Sequence, residues 1–339
     1  MTADFVHARH TFAGRVELRP FESRVLSENP VGDPHVREVP VYLPPGSERE
    51  RWPVLFVLAG FTGRGQRMLD YGDPWKPGLV IQYDRLVARG ELPPAILVLP
   101  DCFTKVGGSQ YVNSALLGRY EDYVVDELVA WIDATYPTRV GARAVVGKSS
   151  GGFGALHFAL RRPGVFRAAA SISGDCGFEF CQWPTFEGLL RTLRKHGGDP
   201  WRFLEAFKAK AQTSVDEFET LNAIAMSACY SPNRASPFGF DLPIDTDTGA
   251  RREDVWRRWL EFDPLFACER YGANLKQLAL LHVECGLDDE FNMQWPLRQF
   301  VAKVRARGIA VDHEEHEGSH RNLDHRYLAL FRKLAHALG

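Results

Sequence analysis

The chain has 339 residues, 45% of them hydrophobic and 25% charged, with a formal net charge of -2. That size suits one large or two modest domains. No basic cluster with interleaved aromatics points to nucleic acid, no apolar run approaches a membrane span, and the N-terminal stretch MTADFVHARHTFAG has no apolar signal core, so a cytoplasmic protein is expected. The cysteines Cys102, Cys176, Cys181, Cys229, Cys268 and Cys285 include no C-x-x-C pair. Free buried thiols are expected, and only Cys176 and Cys181 lie close enough in sequence for a disulfide to be considered.

In chain order, HVREVPVYLPPG (35–46) alternates and then meets proline and glycine, as a strand and turn do. WPVLFVLAGFTGRG (52–65) is a continuous apolar strand running into a glycine-rich loop, and PAILVLPD (94–101) is another buried strand. YEDYVVDELVAWIDATY (120–136) reads as an amphipathic helix. A strand at ARAVV (142–146) enters GKSSG (147–151), and the helix GFGALHFALRR follows. FRAAASISG (166–174) and LALLHVECG (278–286) are further strands. A helix over 293–308, a strand over 309–318 and a helix over 322–338 close the chain. Apolar strands alternating with helices mean an α/β fold with a mostly parallel sheet covered on both faces. Sites in such sheets lie beyond the carboxyl ends of the strands.

Residues 176–262 differ, carrying helical and loop signals such as FEGLLRTLRKHGG and VWRRWLEF but no parallel-type strand. The expected organisation is a core formed by 1–175 and 263–339, with 176–262 as a helical cap insertion.

GKSSG invites two readings. A P-loop needs Gly, four residues, then Gly-Lys-Ser, but that spacing lands on Ala142, and a strand occupies the place of the loop. Strand, tight turn and helix with serine at the apex is instead the setting of a G-x-S-x-G nucleophile elbow. Ser149 is then the nucleophile, and it needs a base and an orienting acid from later loops. The loop after 278–286 offers Asp288 and Asp289; Asp289 is favoured because G-x-x-D sets the carboxylate after the turn. Asp175, after the preceding strand, is a lesser rival that would otherwise line the pocket. His313, His316, His320 and His325 crowd the last loop, and His320, just past Gly318-Ser319, is placed to swing toward the elbow. The backbone N–H of Ser150 and that of Phe61 or Thr62 should form the oxyanion hole. Lys148 is expected to point away and make a salt bridge. Phe178, Phe180 and Trp183, which follow a strand end, are the expected wall of an apolar pocket, with Tyr111 as a further lining residue. This chemistry needs no cofactor and no metal.

VYLPPG, AGFTG, PDCFTKVGGSQYVNS, GRYEDYVVDELVAWID, GKSSGGFGALHFAL, CGLDDEF and EGSH together resemble the putative-esterase family of α/β-hydrolases, which includes enterochelin esterases, S-formylglutathione hydrolases, feruloyl esterases and mycolyltransferases. The resemblance spans roughly 21–174 and 278–338. It implies an α/β-hydrolase fold with Ser149, Asp289 and His320 as the triad. Ala59-Gly60 departs from the His-Gly or Asp-Gly of many relatives. The expected activity is hydrolysis of a small-molecule carboxylic ester through an acyl-enzyme. Acyl transfer on the same triad and a non-catalytic binding module are the alternatives, and homo-oligomerisation stays open.

Overall fold

The structure, a computed structural model, describes residues 11–69 and 77–339. Most of the N-terminal stretch read for a signal core lies outside the described residues. Eight strands form the main sheet: β1 Arg15–Glu22, β2 Val36–Leu43, β3 Trp52–Leu58, β4 Ile96–Val98, β5 Thr138–Lys148, β6 Ala168–Ile172, β7 Leu280–Gly286 and β8 Asp312–His316. Their spatial order is β1-β2-β4-β3-β5-β6-β7-β8. The two pairings made by β2 are antiparallel, and every pairing from β4 to β8 is parallel.

The apolar runs are continuous because both faces of the sheet are buried. Val54, Phe56 and Leu58 of β3 enter one core, and Leu55 and Val57 enter the other. The longer helices are α1 Leu79–Ala88, α2 Tyr120–Thr135 with a π-helical stretch at Tyr123–Leu128, α3 Ser150–Arg161, α4 Phe186–Lys195, α5 Pro200–Lys208, α6 Val215–Tyr230, α7 Glu253–Leu260, α8 Pro264–Tyr271, α9 Gln294–Arg305 and α10 Asp324–Ala337. Apolar residues of α1 and α10 build one core; those of α2, α3, α9 and the 176–262 segment build the other.

β1 and α1 are among the elements absent from the sequence reading. β1 (RVELRPFE) carries charges and a proline and sits exposed at the sheet edge, so it lacks an apolar signature. α1 begins after Gly78, which supplies no capping side chain.

Between residues 176 and 262 the described chain contributes no strand to the main sheet. Its helix α6 opens on a capping box of Ser214 and Glu217, which satisfies two otherwise orphaned backbone donors. The two ends of the segment are tied together. Asp263 accepts hydrogen bonds from Gly177 N (2.8 Å) and Phe178 N (2.6 Å) at the segment's start and from Leu265 N (2.9 Å) at the start of α8. The segment therefore leaves and rejoins the core beside β6. All six cysteines, Cys176 and Cys181 included, are free and buried.

Candidate active site

β5 delivers Ser149 in a backbone conformation that few residues adopt, with φ 58° and ψ -126°. Such a conformation costs on the order of 1–3 kcal/mol and survives only where its surroundings enforce it. Here Ser149 N donates to Ile172 O at 2.9 Å, and Phe153 N closes the first helical turn on Ser149 O at 2.9 Å. The turn is also very tight. A Cβ on Gly147 would lie 2.3 Å from the Gly151 carbonyl group, so the spacing of glycines around the serine is a packing requirement.

The acid and base loops are stitched to each other. Leu287 N donates to His316 O (2.9 Å) and Asp288 N to Gly318 O (3.0 Å). A Cβ on Gly286 would stand 2.4 Å from Gly318 O, which explains the glycine that opens the acid loop. This contact brings Asp289 Oδ2 to 2.8 Å from His320 Nδ1. Asp289 Oδ1 accepts from Phe291 N at 3.0 Å, so both carboxylate oxygens are engaged. Burial opposes ionisation of Asp289, but the His320 hydrogen bond and charge and the Phe291 N–H outweigh it and hold the carboxyl below its ordinary range. Glu290 Oε2 accepts from His320 N at 2.7 Å and fixes the base from the backbone side. The ring of Phe291 meets the imidazole edge-on at 4.7 Å.

Asp288 is exposed and its side chain makes no hydrogen bond among the described residues, whereas Asp289 is the acid in contact with His320. His313, His316 and His325 lie apart from Asp289: His313 and His316 on β8, His325 on α10 with Nδ1 3.1 Å from Asn322 O.

Ser149 and His320 both line a cavity of about 400 Å³, together with Gly60, Phe61, Lys148, Ser150 and Asp175. Segment 176–262 supplies Gln182, Thr185, Phe218 and Asn222 to the same wall. Ser150 is the first residue of α3, where backbone N–H groups have no helical partner. In the loop after β3, Thr62 N is already bonded to Gly107 O (3.0 Å) and Gly63 N to Gly60 O (2.9 Å). Phe61 N has no acceptor among the described residues, so of the two candidate donors Phe61 is the open one.

The residues expected to wall the pocket are placed elsewhere. Phe178 is fully buried against Phe153 and Tyr230, because Asp263 clamps its backbone and turns the ring into the core. Trp183 packs on Phe186 and Trp256 within the segment. Phe180 is 38% exposed and outside the cavity lining. Tyr111 lies behind the oxyanion loop rather than in the cavity: its hydroxyl donates to Ala59 O at 2.6 Å, and its ring fills the space where a side chain on Gly154 would sit. Lys148 makes no ion pair among the described residues. It is partly buried on the cavity wall, where burial lowers its pKa against the pull of Asp324, Asp289 and Glu290. Gln182, Thr185, Phe218, Asn222 and Phe291 were missed. Phe218 and Asn222 are four residues apart on α6, and the capping box fixing that helix frame was the available signal.

A comparison with family models matches residues 34–337 to the family described as Putative esterase. The chain belongs to this esterase family. Among curated relatives, mouse S-formylglutathione hydrolase is 29% identical over 171 residues, covering 44% of this chain and 56% of the mouse protein. The endo-1,4-beta-xylanase/feruloyl esterase of Xylanibacter ruminicola is 30% identical over 142 residues, 40% of this chain and 19% of that protein. The alignments thus span about half, or less, of the curated relatives' length. Among solved structures, an S-formylglutathione hydrolase from Agrobacterium tumefaciens superposes with a TM-score of 0.62 at 16% identity, covering 98% of this chain and 99% of that one. A ferulic acid esterase gives 0.60 at 20% identity, covering 97% and 100%. The fold of this esterase-family chain is the α/β-hydrolase fold.

Away from the cavity, His282, Glu284 and Glu314 approach within metal-ligand range of one another. Their charges are already used: Arg326 bonds Glu284 through two nitrogens at 2.9 Å and also pairs with Glu314, and Lys333 reaches Asp312 at 2.9 Å. The cluster reads as an ion-pair network pinning α10 to β7 and β8. Among the described residues no helix is long and apolar enough to cross a membrane.

Proposed function

We propose that the protein is a serine carboxylic-ester hydrolase working through an acyl-enzyme. Ser149 Oγ attacks the ester carbonyl carbon while His320 Nε2 takes its proton. Asp289 holds Nδ1 and balances the charge of the imidazolium. The N–H groups of Phe61 and Ser150 receive the oxyanion. Collapse of the tetrahedral intermediate breaks the bond to the alkoxy oxygen, and His320 returns the proton to the departing alcohol. Water, deprotonated by His320, then attacks the acyl-serine and releases the acid. Side chains and backbone groups of this chain carry each step.

The observation that supports this reading best is the convergence of three parts on one cavity: a serine held at φ 58°, a histidine 2.8 Å from a buried carboxylate, and an N–H at Phe61 with no acceptor among the described residues. Names of the relatives point the same way, since one is an S-formylglutathione hydrolase and another an endo-1,4-beta-xylanase/feruloyl esterase. The 176–262 segment acts in this account as a cap that shapes substrate choice through Gln182, Thr185, Phe218 and Asn222. The test is hydrolysis of p-nitrophenyl acetate by the native chain and by Ser149→Ala. The variant should lose roughly 10⁴- to 10⁶-fold in kcat/KM. Turnover within tenfold of native would refute the assignment.

A further inference from the structure

Asp175 follows β6 and is a carboxylate for which the hydrolytic mechanism has no task. It is only 4% exposed, yet it belongs to the lining of the cavity that holds Ser149 and His320. An ionised carboxylate accepts about four hydrogen bonds. Asp175 receives two from other residues, from Gln110 Nε2 at 3.0 Å and Gln182 Nε2 at 3.3 Å, and both fall on Oδ2. Oδ1 receives none from any other described residue. No lysine or arginine among the described residues stands within 4.0 Å, so the side chain is not half of an ion pair. Burial raises its pKa to about 6, with the nearby His320 opposing the rise. A buried carboxyl left short of partners is destabilising, which argues that another molecule completes its bonding.

The group is also held rigidly. Gln182 is fixed by Asn222 Nδ2 on α6 (2.8 Å), and Gln110 is within 3.2 Å of the Tyr230 hydroxyl. Gln182, Thr185 and Asn222 are further polar residues of the cavity lining, whose apolar members include Phe61, Phe218, Phe291 and Met293. We propose that Asp175 is a specificity-determining residue that accepts a hydrogen bond from a hydroxyl group of the ester substrate. A hydroxyl suits the cavity better than an ammonium group, because the lining cations Lys148 and Arg321 outnumber Glu219, the other carboxylate there, and His320 becomes cationic during turnover. The proposal rests on the reading of Ser149 as the nucleophile.

The test uses two ester pairs that differ in hydroxyl groups. p-Nitrophenyl benzoate against p-nitrophenyl 4-hydroxybenzoate varies the acyl side, and propyl acetate against glycerol monoacetate varies the alcohol side. One pair should show a native kcat/KM preference of roughly tenfold to a hundredfold for the hydroxylated member, carried mainly in KM. Asp175→Asn and Asp175→Ala should bring that ratio close to one. Should neither variant fold, the native ratio is followed from about pH 8 to about pH 5. It should fall as the carboxylate is protonated near pH 6. Of the groups facing Asp175, namely His320, Asp289, Tyr230 and Cys181, the histidine serves both esters of a pair alike, so its contribution cancels in the ratio. A fluorophosphonate probe is applied in parallel. Failure to label Ser149 removes the nucleophile reading. Labelling with no preference in either pair, or a preference that survives Asp175→Asn or acid pH, overturns the role of Asp175 alone.

Discussion

Replacing Asp289 by asparagine changes one atom, and the structure dictates how that change is read. Asp289 Oδ1 accepts from Phe291 N at 3.0 Å, so the remaining oxygen of an asparagine must stay on that side. The new NH₂ then takes the place of Oδ2, 2.8 Å from His320 Nδ1. Two N–H groups cannot face each other there. His320 must present a bare Nδ1 as acceptor and carry its proton on Nε2, the nitrogen that has to accept the serine proton. The imidazolium formed in the transition state also loses its counter-charge. The same tautomer inversion in a serine protease triad costs about 10⁴-fold in kcat, equivalent to about 5.5 kcal/mol of transition-state stabilisation. Asp289→Asn should therefore lower kcat for p-nitrophenyl acetate by about that factor with KM changed by no more than about threefold. Asp288→Asn, on an exposed side chain without a partner among the described residues, should stay within about twofold of native. Thermal melts of both variants confirm that the comparison is made on folded protein. A loss at Asp289→Asn smaller than tenfold, or an equal loss at Asp288→Asn, would refute the argument.

The remaining predictions probe the supports of the site. Ser150→Ala should retain activity within a few-fold of native, since the proposed contribution of Ser150 is its backbone N–H; a loss comparable to that of Ser149→Ala would show that the side chain matters. Tyr111→Phe removes the 2.6 Å bond to Ala59 O that anchors the loop carrying Phe61. It should lower kcat by roughly tenfold, less than the ~10²–10³ cost of deleting an oxyanion donor, and an unchanged kcat would mean that the loop needs no such anchor. Glu284 sits between His282 and Arg326; burial opposes its charge, but those partners lower its pKa from the usual carboxylate range to about 2. A depressed folded-state pKa contributes stability above the unfolded value and loses it as pH falls toward the folded one. The contribution is roughly 3 kcal/mol at neutral pH. The stability gap between native protein and Glu284→Gln, read by urea unfolding, should narrow below about pH 5. A gap independent of pH would show that the charge of Glu284 adds nothing.

Much of this was legible in the sequence, and the residues show why. Ser149 sits at a positive φ in a turn so tight that Gly147 and Gly151, two residues to either side, touch, which leaves the G-x-S-x-G spacing between a strand and a helix. Asp289 and His320 must follow late strands, and the turn glycines Gly286 and Gly318 mark the contact that joins their loops. These are local constraints with local signatures. The cavity wall was not legible, because it depends on which way a turn faces after tertiary contacts act on it. Phe178 looked like a pocket residue by its place after β6, yet Asp263, 85 residues later, captures its backbone N–H and sends the ring inward. Cys181, Gln182 and Thr185 of the same stretch face the cavity instead. Periodicity shows that a segment has an apolar face but not which neighbour the face meets. The choice between Phe61 and Thr62 was hidden for a similar reason: it turns on a hydrogen bond from Thr62 N to Gly107 O, a residue in a separate loop.

The central claim is a covalent acyl-serine at Ser149, and rapid-quench mass spectrometry with p-nitrophenyl acetate addresses it most directly. Acid quenching during turnover should trap one acetyl group per chain, peptide mapping should place it on Ser149, and it should disappear when substrate is exhausted. A protein that hydrolyses the ester with no acetyl adduct at any quench time, or with the adduct on another residue, would contradict the account.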